Sequence, residues 1–172
     1  EWQAGNSDED SYAFSIAPAS YWHLVDLIAV VCHSPKKVAS SRGHTLAATS
    51  PLQSARVADS QRRLQICRKA ILEKDFSTFA EIVELDSNLM HAVMMTSTPQ
   101  LIYWEPATLE IIKKVIEWRS QGLPVCYTID AGPNVHLLCP LDSMHTVESM
   151  LKSLNSITYL FRSLPGSGVQ VS

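Results

Sequence analysis

The stretch "PVCYTID", "AGPN", "VHLLCP" across residues 124–140 sets two short apolar runs about a Gly/Pro/Asn turn, and that pattern makes a β-hairpin. A lone hairpin is marginal in water, so the rest of the chain must supply partner strands and a layer to cover the apolar face. The hairpin also places one acid, Asp130, where the first run meets the turn. Two readings of it are open. An aspartate before Gly-Pro-Asn is commonly a turn residue whose carboxylate accepts nearby backbone N–H groups. Alternatively, it is a carboxylate kept at a partly dry sheet end to do chemistry, where a charge needs a partner.

The partner strands can be read along the chain. "SYAFSIAP" alternates weakly, and "LVDLIAVVCHS" has the β-branched apolar density of a buried strand, while "ITYLFRS" near the end reads as a last strand. Between them the period changes to helical from residue 49 to about 96, in two packed helices. Leu64, Cys67, Ile71 and Leu72 mark the inner face of the first, and Asp75 caps the second. "ATLEIIKKVIEWRSQG" is a further amphipathic helix with Gly122 at the position after its C-cap, and Asp142 caps a last helix running to about Leu154. "QLIYWE" is too short to classify. Strand, helices, hairpin, helix, strand predicts an α+β fold: a two-layer sandwich, mostly antiparallel, with helices on one face, the ferredoxin-like arrangement being the nearest common type. The 172 residues suit one domain, 1–172.

Composition narrows the function classes. The net charge of −3, with signs mixed along the chain, lacks the clustered Lys and Arg of a nucleic-acid footprint. Cys32, Cys67, Cys126 and Cys139 sit singly in apolar runs, without zinc spacing, and read as reduced thiols of a cytoplasmic protein, so no metal ligands are expected. The longest apolar run, residues 27–32, falls far short of the ~20 residues of a membrane helix, so no membrane span is expected. A start at Glu1 with no Met and no leader pattern suggests a fragment of a longer protein.

Three further places carry candidate chemistry. Residues 34–44 mix Pro, Gly and Ser with Lys36, Lys37 and Arg42, which is loop composition. With Ser40 and Ser41 they offer the cations and hydroxyls that grip phosphate oxygens, though three cations in a loop are also commonly just solvated. In "DSNLMHAVMM", Asp86, Met90 and Val93 share a helix face with His91 beside them; a lone histidine there is most often a hydrogen-bonded core residue, and the methionines fill core. Trp2, Trp22, Trp104 and Trp118 read as packing.

Taken together and in order, "EWQAG" with "SYAFSIAP", "KKVASSRGH" with "AATS", "ILEKDFSTFAEIVELDSNLMHAV" and "YTIDAGPNVHLL" resemble the C-terminal half of the mevalonate diphosphate decarboxylases, members of the GHMP kinase superfamily. The resemblance covers nearly the whole chain. It implies an ATP- and Mg²⁺-dependent carboxy-lyase of isoprenoid biosynthesis, cytoplasmic and homodimeric, that phosphorylates a tertiary hydroxyl and then expels phosphate and CO₂ to give isopentenyl diphosphate. By the same likeness Asp130 is the aspartate that orients and deprotonates that hydroxyl, and Lys36, Lys37, Ser40, Ser41 and Arg42 form the loop that closes on the phosphates. Met90, His91, Ala131 and Gly132 would line the pocket. Residues 1–24 would be the tail of an N-terminal lobe and the crossover; that lobe, which would hold most of the ATP and Mg²⁺, lies upstream, and the chain alone is expected to be inactive.

Many members read Gly-Met, with one more residue before Thr-Ser, where this chain has Gly43, His44 and "TLAATS". That departure leaves a second substrate open, the monophosphate taken by phosphomevalonate decarboxylases. A small-molecule kinase lobe of the superfamily and a non-enzymatic ferredoxin-like interaction module are the remaining alternatives.

Overall fold

In the computed structural model the described residues are 1–3, 5–31 and 40–166. The strands β3 (Leu24–Val30), β4 (Cys126–Thr128), β5 (Val135–Pro140) and β6 (Tyr159–Ser163) form one antiparallel sheet in the order β4-β5-β3-β6. Helical chain separates β3 from β4 and β5 from β6, and β4 and β5 are the hairpin. This is the ferredoxin-like β-α-β-β-α-β order in a mixed α+β fold. A separate ribbon pairs β1 (Trp2–Gln3) with β2 (Tyr12–Ala13), so only two residues of "SYAFSIAP" are strand. Trp2 is exposed on that ribbon rather than packed.

Alternation along β3 and β5 sends Val25, Leu27 and Ala29, with Val135, Leu137 and Cys139, to one fully buried face. Helix α5 (Pro106–Ser120) covers that face with Ile111, Ile112, Val115 and Trp118, and α6 (Met144–Lys152) with Met144, Val147 and Leu151. Pro106 at the start of α5 has a fixed φ suited to a first turn, and Gly122, at φ 93°, takes the left-handed position past the helix end. Helix α6 begins one residue later than a cap at Asp142 predicts. Leu141–Ser143 is a tight 3₁₀ turn that contains Asp142, and Ser143 precedes the helix without a side-chain cap.

The helical region divides more finely than two helices. Besides α1 (Ser40–Ala47) and α2 (Gln53–Ala58), it holds α3 (Ser60–Glu73) and α4 (Phe76–Met95). Asp75 caps α4 as expected, its carboxylate accepting the Thr78 N–H at 3.1 Å. The inner face of α3 differs from the apolar spacing: Leu64 and Leu72 are exposed, whereas Arg63 and Ala70 are buried. Arg63 fits because its fork is used up, Nε on Asp86 at 2.8 Å, one terminal nitrogen on Asp59 at 2.9 Å and the other on the Arg56 carbonyl at 3.0 Å. Ala70, Phe79, Ala80 and Cys126 form a second core around Trp22 and Phe76.

Helix α4 lies against β4, at the sheet edge. Glu84, Ser87 and His91, spaced i, i+3 and i+7, form a buried polar stripe on an otherwise apolar helix. Glu84 accepts the Tyr127 N–H at 3.2 Å and Ser87 the Ile129 N–H at 3.0 Å, so the helix pairs with the strand edge in place of another strand. A bidentate Arg119 holds the Glu84 carboxylate from α5, satisfying a charge that burial would otherwise penalise.

Candidate active site

The β4–β5 turn is fixed from three sides. Thr108, fully buried in the first turn of α5, donates to the Pro133 carbonyl at 2.6 Å; Asn134 accepts the Val31 N–H at 3.2 Å; and Gly132 N–H bonds back to the Asp130 carbonyl at 2.8 Å. The residue before Asp130 is held most closely. Ile129 receives Ser87 on its N–H, while its carbonyl takes both Ser87 Oγ at 3.3 Å and His91 Nε2 at 3.0 Å. With the carbonyl as acceptor, His91 carries its proton on Nε2. Burial pushes the His91 pKa down, against the opposing pull of the Ile129 hydrogen bond and the Asp130 charge, so the ring is neutral near pH 7.

Asp130 itself is exposed, and its carboxylate takes no hydrogen bond or ion pair from any other described group. Its backbone, not its side chain, serves the turn. The carboxylate faces a cleft of about 450 Å³ whose lining includes Gly43, His44, Gln53, Arg56, Met90 and Tyr103, with Ala131 beside Asp130. Among the described lining residues Asp130 is the single acid, and Arg56 and His44 are the basic groups. Helix α1 reaches the cleft through a close approach. A Cβ on Gly43 would sit 3.0 Å from the Tyr103 hydroxyl and 3.4 Å from the Met94 sulfur.

The structure brings together Asp130, Met90 and Ala131 at this cleft. His91 and Gly132 are buried outside its lining, His91 acting from behind through Ile129. Ser40, Ser41 and Arg42 fall in the first turn of α1, so helix begins where loop composition was read; Lys36 and Lys37 lie outside the described residues. Arg56, Gln53 and Tyr103 were missed from sequence. Arg56 and Gln53 sit in a helix with no buried residue and hence no apolar period, and Tyr103 lies in the unclassified "QLIYWE".

Two other features bear on chemistry. His136, opposite Thr128 on β5, bonds Asp26 through Nδ1 at 2.8 Å, and that bond raises its pKa above the usual value despite partial burial. Cys67, Cys126 and Cys139 are free thiols; burial raises all three and pushes Cys139 up to about 11, which makes them poor nucleophiles. Among the described residues, no three His, Cys, Asp or Glu side chains gather as metal ligands, and the cleft offers one carboxylate. These residues do not form a cage for Mg²⁺. Among them, too, no helix is long and apolar enough to cross a membrane.

The described chain is thus a ferredoxin-like lobe whose sheet end presents a carboxylate, unpaired among the described residues, to a cleft walled by helices. Residues 26–164 match the family described as the mevalonate 5-diphosphate decarboxylase C-terminal domain, and the chain belongs to it. It is 35% identical to the diphosphomevalonate decarboxylase of Saccharomyces cerevisiae over 96% of its length, covering 42% of that protein. It superposes on the mevalonate diphosphate decarboxylase of Enterococcus faecalis with a TM-score of 0.87 and 28% identity, covering 97% of this chain and 51% of that one. A structure of MDDEF in complex with MVAPP, AMPPCP and magnesium gives 0.89 and 28%, over 97% and 52%. The chain thus spans 42% of the yeast relative and about half of these solved chains.

Proposed function

We propose that this chain is the C-terminal part of an ATP-dependent decarboxylase that converts mevalonate 5-diphosphate to isopentenyl diphosphate, with Asp130 as the residue that acts on the tertiary hydroxyl. The observation that carries this is the unpaired Asp130 carboxylate on a backbone held from behind by Ser87 and His91, facing the cleft. A tertiary alcohol is a weak nucleophile. A carboxylate within hydrogen-bond reach aligns it and accepts its proton as the new P–O bond forms. When phosphate then leaves, positive character develops on the tertiary carbon, and the same fixed anion stabilises it without having to reorganise. Residues 1–24 belong, on this reading, to the end of an upstream lobe that holds most of the nucleotide and Mg²⁺; Lys36, Lys37, Ser40, Ser41 and Arg42 close on the phosphates. The assembled enzyme is a cytoplasmic homodimer. The likeness to a decarboxylase bound to an ATP analogue and magnesium supports the cofactor assignment.

His44 on the cleft favours a second reading, a monophosphate substrate, because a polar ring stands where many members carry methionine. The deciding experiment takes the full-length protein and measures ATP-dependent CO₂ release from the mono- and diphosphate side by side, for wild type and Asp130→Asn. ADP formation without CO₂ from either substrate would sink the decarboxylase reading in favour of a kinase. An Asp130→Asn enzyme as active as wild type would remove Asp130 from the chemistry.

A further inference from the structure

The cleft that Asp130 faces also holds a cation that contacts among the described residues do not fully neutralise. Arg56 touches one acid, Asp86, and that contact is long, 3.5 Å, to a carboxylate already taken by Arg63 at 2.8 Å. Asp86 is half exposed, so water screens even that pair. Across the cluster of Arg56, Arg62, Arg63, Asp59 and Asp86, three guanidinium groups meet two carboxylates. Arg62 and Arg63 hold the short bonds, 2.6 to 2.9 Å, so the excess positive charge falls on Arg56. The Arg56 side chain is 26% exposed and lines the cleft.

Its surroundings are also unfinished. The Arg56 Nε, the Gln53 Oε1 and the Tyr103 hydroxyl are buried polar atoms without a hydrogen-bond partner, and all three residues line this one cleft. Buried polar groups are nearly always paired, so these three leave unused hydrogen-bonding capacity in residues that line the cleft. Meanwhile the backbone of Arg56 is anchored, since its carbonyl accepts Arg63, itself 4% exposed and bonded to both aspartates. A fixed stem with a half-free guanidinium is the form of an anion-binding arginine, because its planar fork meets two oxygens at once.

We infer that Arg56 is a substrate-binding residue that takes an anionic oxygen group, carboxylate or phosphoryl, in the cleft that Asp130 faces. The inference rests on the decarboxylase reading for the identity of the substrate. That substrate brings negative charge beside Asp130, a like charge that raises the cost of binding unless a cation faces it. Arg56 is the fully charged group on the described wall that can offset it.

In the full-length protein, Arg56→Gln is expected to raise KM for mevalonate 5-diphosphate about 10- to 100-fold, the worth of a charge-assisted bidentate contact, with KM for ATP unchanged. Arg56→Lys recovers only part, because lysine keeps the charge and loses the fork. A folded Arg56→Gln enzyme with substrate KM within about twofold of wild type, or with KM for ATP raised in step, overturns the assignment. If Arg56→Gln does not fold, Arg56→Lys decides on the same criterion. Repeating the comparison with the substrate's carboxylate replaced by its neutral amide separates the two anion sources: the penalty of Arg56→Gln disappears if Arg56 holds the carboxylate and persists if it holds phosphate. A wild-type protein that releases no CO₂ defeats the decarboxylase reading, and Arg56 is then judged by calorimetric binding of mevalonate 5-diphosphate. Binding by wild type that is lost in Arg56→Gln supports it; equal binding, or none, overturns it.

Discussion

The two walls of the cleft are built differently. On the Asp130 side the turn is tied at several points: the Ile129 N–H and carbonyl to α4, the Pro133 carbonyl to α5, and the Asn134 side chain to the Val31 N–H just past β3. On the opposite side α2 has no buried residue. That wall is held to α4 through Arg63, the Ser50–Thr96 hydroxyl pair at 2.6 Å and a Thr98 N–H to Thr49 bond at 2.8 Å. A group that must be within reach of a proton gains from rigidity, whereas a group that grips a charged, flexible substrate can adjust. On the proposed reading chemistry belongs to the Asp130 wall and recognition to the Arg56 wall, a division that experiment can break.

The largest effect is expected at Asp130. Asp130→Asn should lower ATP-dependent turnover by a factor of about 10²–10⁴, the usual worth of a general base, while the melting temperature stays put because the carboxylate supports no described hydrogen bond. Next comes the clamp. Ser87→Ala removes the acceptor for Ile129 N–H in a buried setting and should cost about 1–3 kcal/mol in a denaturation experiment. It should also lower kcat more than KM, and a parallel rise in KM alone would contradict a positioning role. Gly43→Ala tests the opposite wall: the added methyl meets the Tyr103 hydroxyl at 3.0 Å, so α1 must shift by a few tenths of an ångström. The expected outcome is a loss of no more than about 1–2 kcal/mol with substrate KM raised and kcat kept.

The smallest effect, and the one with a definite sign, is in pH. Burial depresses the folded pKa of His91, so folding disfavours its proton, and its contribution to stability is lost as pH falls below the ordinary histidine value near 6.5. His136 has the opposite sign. Its folded pKa is raised by Asp26, so that stabilisation is fully present below about 6.5 and is lost as pH rises through the higher folded value. Melting curves of Asp26→Asn against wild type from pH 5 to 8 should therefore converge toward the alkaline end. A difference that grows with pH would reverse the assignment.

How much of this was legible in the sequence follows from the kind of signal each part carries. The hairpin, β3 and α5 are long enough in period, or punctuated enough by Gly and Pro, that apolar pattern alone locates them. The start of helix α1 has loop composition because "SSRGH" carries no apolar stripe; the helix packs through Gly43 against Tyr103 and Met94 and through half-buried Leu46 and Ala47 against Val93 and Met94. The face of α3 departs from its apolar spacing because Arg63 is buried through ion pairs to Asp59, one turn before it, and to Asp86 on α4, and apolar periodicity does not report ion pairs. Asp130 is visible in the sequence as a candidate, but the freedom of its carboxylate from the turn depends on Ser87 and His91, which hold the adjoining backbone at Ile129. The signal was there in part: Glu84, Ser87 and His91 at i, i+3 and i+7 are a polar stripe on a helix otherwise rich in apolar residues.

That stripe acts as a short ruler. Along a strand, edge groups that face the same way recur every two residues, roughly 6.7 Å, whereas a helix returns to one face every ~5.4 Å, so the two repeats drift apart with each step. Here the mismatch is absorbed by arm length: Glu84 reaches far to Tyr127, Ser87 reaches little to Ile129, and His91 comes back to the same residue. Among the described contacts this pairing ends at Ile129, one residue past β4, and the next residue, Asp130, has a carboxylate that no described group holds.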